Sequence, residues 1–432
     1  MSEQKVIYQK TESYYFLVPN YKDYRFLLHF MKKIIALSFI AVALLASITD
    51  TNAQCRNGYN AVTGEKCANA VVSAVPFLRI TPDSRGGALG DAGIATSADA
   101  NSMHYNPSKL AFVDKNVSIS ATFTPWMRAL GLNDVYLAYL AGYKKLDDRQ
   151  AIGFGLRYFS LGSIDFTDDS GNPLGTGQPN EFEVSAGYAR KLSEKLSAGI
   201  GAKFIFSSLA TGVQVEGVEI RPAIAGAADL SLTYKTPMNF SNKKADLTLG
   251  MAITNIGNKV TYTQSNVRDY IPTNLGIGTA YRMHLDEYNT LTFTADFNKL
   301  LVPTPCDDPD PAVCDTDGDL VADYRQQSPI AGIFQSFGDA PGGFQEELKE
   351  INIGGGIEYW YDDQFAVRAG YFNENYSKGN RKYFSVGLGL KYQIFGLNFS
   401  YIVPTTNRRN PLDNTLRFSL LFDFGAFSGD EE

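Results

Sequence analysis

Stretches of helical period are what this chain has least of. Runs of Leu, Ala, Glu and Lys at helical spacing are nearly absent, which argues against the two or three soluble domains that 432 residues would otherwise allow. Past Ala53 no segment is long and apolar enough to form a membrane helix. A mature chain that sits in a bilayer must therefore do so as a closed sheet. There is no Lys/Arg stripe, and the net charge is only −7, so the footprint of a nucleic-acid binder is missing. Histidine is scarce: after Ala53 only His104 and His284 remain, and no Ser- or Cys-centred constellation is evident near either. That pattern predicts no catalytic residues, no cofactor and no enzyme. The four cysteines fit no zinc spacing.

What is abundant is Gly, Tyr and Phe, at 39, 25 and 28 residues. Tyr and Phe favour strands and water–lipid interfaces, and Gly keeps the inside of a barrel uncrowded. Export is written near the start. Met31-Lys32-Lys33, the apolar run Ile34–Ala46 and Thr51-Asn52-Ala53 read as a signal peptide cleaved after Ala53. Residues 1–30 then form an upstream extension, with Met31 as an alternative start, and Gln54 before Cys55 argues against lipid attachment. In an oxidising compartment two local disulfides are expected, Cys55 with Cys67 and Cys306 with Cys314.

After residue 115 the dominant signal is alternation with period two. Ile152, Phe154, Leu156 and Tyr158 alternate with Gly153, Gly155 and Arg157; Phe384, Val386, Leu388 and Leu390 alternate with Ser385, Gly387 and Gly389. About fourteen such segments follow, most of them near the length a tilted membrane strand needs. Their links mostly alternate. Short ones fall at 145–148, 192–194, 285–288, 362–363 and 394; long ones run 162–179, 208–220, 256–272, 301–350 and 404–413. Lys235–Lys244 breaks the alternation by its length. The expected fold is all-β: an antiparallel transmembrane barrel spanning 116–427, with greasy exterior, polar lumen, both termini at the short-turn rim and an aromatic last strand (Phe418, Leu420, Phe422, Phe424). Residues 1–53 would be extension and signal peptide. The Gly- and Asn-rich 54–115 would hold a periplasmic segment and a hatch inside the lumen, with a short helix at Ser97–Ala100.

The hatch stretch carries Gly90-Asp91-Ala92-Gly93, Asp99 and Asn106-Pro107-Ser108. It resembles the N-terminal hatch of the FadL superfamily, whose usual ending is Asn-Pro-Ala, so Ser108 departs mildly. The stretches 74–84, 336–344, 358–361, 368–372, 378–383 and 411–424 resemble the PorV family within that superfamily. The resemblance implies an outer-membrane component of the type IX secretion system. Such a component binds the C-terminal signal domain of cargo at the translocon barrel. It then delivers the cargo to a sortase-like attachment complex that joins it to lipopolysaccharide. A FadL-like channel for long-chain fatty acids or other hydrophobic molecules is the alternative, and it would require an apolar pocket in the lumen.

Two further features belong to the long loop 301–350. Ile330, Ile333, Phe334, Phe337 and Phe344 put apolar side chains at an outer rim, where they would either dock cargo or translocon or fold over the barrel mouth. Asp307, Asp308 and Asp310 precede Asp315, Asp317 and Asp319, which have the start of a calcium-loop spacing. Gly318 is misplaced for that motif and Gln326 stands where a glutamate is needed, so a solvated loop is the expected reading.

Overall fold

The computed structural model describes residues 55–56, 59–60 and 69–425, less 129–130, 168–170, 216, 241–242, 265–266, 307–310, 320 and 406–414. The signal segment and the Cys55–Cys67 pairing therefore lie outside the described residues. Cys55–Arg56 and Tyr59–Asn60 pair with each other in a unit, Met1–Glu65, apart from Lys66–Glu432. All that follows concerns the second unit.

Fourteen antiparallel strands close into one barrel. They are β1 Val117–Pro125, β2 Val135–Asp147, β3 Gln150–Leu161, β4 Asn180–Lys191, β5 Leu196–Ser208, β6 Ala223–Phe240 and β7 Lys243–Gly257. The second half is β8 Asn274–His284, β9 Asn289–Leu300, β10 Asn352–Tyr361, β11 Phe365–Asn373, β12 Lys382–Tyr392, β13 Phe395–Pro404 and β14 Leu416–Phe424. Closure is made by β14 on β1, from Phe418 opposite Phe123 to Phe424 opposite Val117. Alternation dictates the two faces. Ser118, Ser120, Thr122 and Thr124 of β1 and Arg417 and Ser419 of β14 are buried towards the lumen, while Phe123, Phe418 and Leu420 are exposed on the outside. An apolar exterior on a closed sheet has one suitable solvent, lipid, and the protein spans a membrane with its strands.

The long link expected at Lys235–Lys244 does not exist. β6 and β7 run on as a ladder to Phe240 opposite Lys243, leaving a two-residue connection. Pro237 and two asparagines give the segment the look of a loop. The side of β6 that faces β5 loses its neighbour beyond Leu196, after the Lys235 N–H reaches the Lys195 carbonyl at 2.7 Å. Pro237 thus stands on an open edge, where its missing N–H breaks no ladder bond. With that correction every described link at the periplasmic rim is short.

The hatch enters the lumen as a series of single turns: Pro76–Arg79, Ser84–Ala88, Ser102–Tyr105 and Pro107–Phe112. The helix expected at Ser97–Ala100 begins instead at Ser102, because the Asp99 carboxylate accepts from the Asn101 N–H at 2.9 Å and holds a turn. Not all of the lumen is polar. Near the outer mouth Val75, Phe77 and Leu78 pack against Leu137, Phe159 and Ile205 of the wall and against Trp126.

Candidate docking surface at the outer rim

The loop between β9 and β10 is folded, and its elements follow from local signals. Cys306 and Cys314 form a disulfide with Cα atoms 5.6 Å apart. Ser328 caps the helix Pro329–Gln335 by accepting from the Ala331 N–H at 3.2 Å, with Pro329 at the first helical position. A second helix, Phe344–Lys349, starts after Gly343, whose φ of 67° suits glycine.

The second helix is fastened to the barrel by charge. Lys299, at the end of β9, donates to Glu347 at 2.8 Å and to Glu350 at 2.5 Å. Lys378, from the β11–β12 link, donates to Glu346 at 2.6 Å and Glu350 at 3.0 Å. The remaining oxygens are taken up too: the Thr304 hydroxyl donates to Glu350 at 2.7 Å and the Ala340 N–H to Glu347 at 2.9 Å. Asp339 accepts from the Thr304 N–H at 3.1 Å, yet burial, with Glu347 and Glu350 nearby, pushes its carboxyl up to about 6. Buried carboxylates shared by two lysines make a rigid base for the loop.

The consequence is a helix turned inside out. Phe344–Lys349 hides its acidic side chains and shows its apolar ones. Phe344 is 74% exposed and Leu348 52%, while the neighbouring helix shows Ile330 at 56% and Phe334 at 73%, followed by Phe337 at 51%. Ile333, grouped with these by sequence, is half-buried, and Gly332 packs against Pro303 and Tyr270. Four of the five apolar candidates are therefore exposed and one is half-buried. The clamp residues Lys299, Glu347, Glu350 and Lys378 carried no signal in the sequence, because they lie on three separate segments.

Below the mouth the hatch closes the lumen. Gly90 has φ 67°, and a Cβ on it would sit 2.3 Å from the Tyr371 carbonyl. The facing wall is glycine as well: a Cβ on Gly370 would come within 2.2 Å of the Gly90 nitrogen. Asp91 accepts from the Tyr383 hydroxyl. Asn106 donates to the Ile94 carbonyl and to Thr233 Oγ1, both at 2.9 Å, and its Oδ1 caps the turn opened by Pro107. Ser108, the departure from Asn-Pro-Ala, donates to Asn106 at 2.6 Å and meets Thr233 at 2.7 Å. Arg85 ties the hatch to the wall, binding Glu358 through two nitrogens at 2.9 and 2.7 Å and Asp99 at 3.0 Å, while Arg368 holds the same Glu358 at 2.7 Å. Lys109 donates to the Gly93 carbonyl at 2.5 Å, and its burial pulls it down to about 8. On the periplasmic side lies a cavity of about 530 Å³ lined by charge, including Asp99, Lys109, Lys235 and Lys391. On the outer side one of about 110 Å³ remains.

His104 is a packed hatch residue. Its Nδ1 faces Arg157 Nη2 at 2.6 Å, and burial together with that guanidinium lowers it well below its usual range. His284 lies 3.5 Å from Asp246 at the periplasmic rim. The acidic loop gathers Asp315, Asp317 and Asp323, with oxygens within 4.8 Å of one another, rather than the expected Asp315, Asp317 and Asp319. Asp319 instead accepts from the Val321 N–H at 2.8 Å and from Gln326 at 3.2 Å, so the chain's own donors take its carboxylate. Asp307, Asp308 and Asp310 lie outside the described residues.

Comparison with known proteins adds the following. A family model described as "Type IX secretion system protein PorV" matches residues 63–307. No curated protein sequence matches. Among solved structures, the Ralstonia pickettii toluene transporter TbuX is similar at 11% identity and a TM-score of 0.46, covering 79% of this chain and 98% of its own. The P. putida toluene transporter TodX gives 13% and 0.45, covering 80% and 98%. A Pseudomonas aeruginosa FadL homologue gives 11% and 0.40, covering 83% and 100%.

Proposed function

The chain belongs to the PorV family of type IX secretion system proteins, and from that premise we propose that its outer rim receives exported cargo. In this reading the apolar surface of Ile330, Phe334, Phe337, Phe344 and Leu348 binds the C-terminal signal domain of cargo at the translocon barrel. The cargo then passes to the sortase-like attachment complex. The barrel binds and positions; it carries out no bond chemistry of its own.

The observation that carries the reading is the inverted helix Phe344–Lys349. A surface helix in water normally does the reverse, burying Phe and Leu and solvating Glu. Here the lysine clamp fixes the opposite arrangement, so the apolar side is free only until something covers it. Each covered Phe or Leu is worth roughly 1.5–3 kcal/mol. The fatty-acid channel is less well supported. The outer half of the lumen is filled by Phe77, Leu78, Leu137 and Phe159, and the larger cavity is lined by charged residues.

The test is Phe334→Ser with Phe344→Ser in cells, with barrel assembly followed by heat-dependent gel migration. Cargo release should fall at least about tenfold, since two aromatic anchors together exceed the ~1.4 kcal/mol that a factor of ten requires. Normal release from a correctly assembled double variant would end the docking role. Growth on long-chain lipids serves as the second readout, and its impairment with unchanged secretion would favour transport instead.

A further inference from the structure

The outside of the barrel carries a groove that cargo docking does not use. Strand register lines up two rows of outward side chains near the periplasmic rim. Leu196, Tyr234, Leu249 and Thr279 are partners on successive strands β5 to β8. Two positions towards the outer rim, Leu232, Met251, Ile277 and Phe297 are partners on β6 to β9. Thr279 is small among Leu249, Ile277 and Phe297, and a groove of about 390 Å³ opens there. It lies on the face that meets lipid, and apart from Thr279 its lining side chains are apolar or aromatic.

One end of the groove is different. The second row continues through Ala198 to Arg190. Arg190 is exposed at the next-to-last residue of β4, on the same outward face. The carboxylate in the field of Arg190 is Asp147, which already accepts from the Arg149 N–H at 2.7 Å and from Gln150 at 2.6 Å. A cation thus stands where an apolar groove reaches the water interface.

We propose that this is a binding site for one anionic phospholipid of the periplasmic leaflet, with phosphatidylglycerol as the type. An acyl chain lies between the two rows, and the phosphate meets the Arg190 guanidinium, which can bind it through two N–H groups. Tyr234 sits at the depth where aromatic residues flank a bilayer core. A membrane-protein helix would use the apolar rows but has no need of a cation at their end; a charged lipid uses both. The site is independent of the cargo reading.

The experiment is native mass spectrometry of the full chain purified in detergent, with phosphatidylglycerol or phosphatidylcholine added. One phosphatidylglycerol should be retained with about a tenfold preference over phosphatidylcholine, the size of one good charge-assisted contact. Arg190→Gln should abolish the preference, and Arg190→Lys should keep it. Thr279→Trp should lower retention of both lipids several-fold; Thr279→Leu replaces it if the Trp variant fails to assemble by gel migration. Equal retention of the two lipids by the unmodified protein, or indifference to these substitutions, would overturn the proposal. So would a protein occupying the groove in place of lipid.

Discussion

The hatch and the loop 301–350 are both irregular segments pinned to the barrel by buried ion pairs, yet they finish in opposite states. In the hatch, Arg85 and Arg368 are balanced by Glu358 and Asp99 while Phe77, Leu78, Met103 and Leu110 are buried as well. Both its charges and its apolar groups have found partners inside this chain. In the loop the charges are equally settled on Lys299 and Lys378, but the apolar groups are left out. A fold completes what it can complete alone; the difference marks the hatch as a finished closure and the loop as half of an interface.

The comparison breaks most easily at Glu358. Glu358→Ala leaves two guanidinium groups buried together, and removing one partner of such a set costs about 3–5 kcal/mol. Hydrogen exchange across 84–106 should rise steeply while the loop helices keep their protection; unchanged hatch exchange would mean that the ion pairs do not hold it. Gly90→Ala comes next. Its left-handed φ and the Tyr371 carbonyl 2.3 Å from the new Cβ predict a loss of about 1–3 kcal/mol from backbone strain, with any wall displacement adding to it. Lys299→Met strips Glu347 of its lysine while Lys378 still holds Glu350. We expect about 1.5–3 kcal/mol of local destabilisation, read as faster exchange over 336–350 and weaker cargo release, with the hatch unmoved. Ser108→Ala restores the commoner hatch ending and should cost only about 0.5–1.5 kcal/mol, the worth of a neutral hydrogen bond.

The smallest effect is in pH, and it separates the two regions by sign. Asp339 has a folded value raised to about 6 from 3.8, so its contribution to the loop is full below about 4 and is lost as pH rises through about 6. His104 is lowered well below its ordinary 6.5, so its contribution to the hatch is lost as pH falls below that value. Exchange measured between pH 5 and 7.5 should therefore show Asp339→Asn removing an alkaline loosening of the loop. His104→Gln should remove an acid loosening of the hatch. The same sign for both would erase the distinction.

Much of the fold was legible because a strand records its two environments residue by residue. Phe384, Val386 and Leu388 against Ser385, Gly387 and Gly389 needs no tertiary information to be read as lipid on one side and lumen on the other. The hatch motif was legible for a related reason, since Gly90, Asp91, Asn106 and Pro107 each serve a turn made within a few residues. Legibility failed where a local signal had a non-local cause. Pro237 read as a loop residue because nothing in the sequence says that β5 stops short beside it. Among the apolar candidates, Phe334 and Ile333 looked alike, and only the seating of their helix, where Gly332 meets Pro303 and Tyr270, decides which faces water.

Composition and alternation by themselves determined a membrane-spanning barrel with a folded segment inside, because lipid and water sort side chains at every second position whatever lies elsewhere in the chain. Tertiary structure decided which charges meet. Arg85 and Glu358 are 273 residues apart, and Glu350 gathers cations from β9 and from the β11–β12 link. A Coulombic partner is chosen by distance in space, and a linear sequence holds no distances.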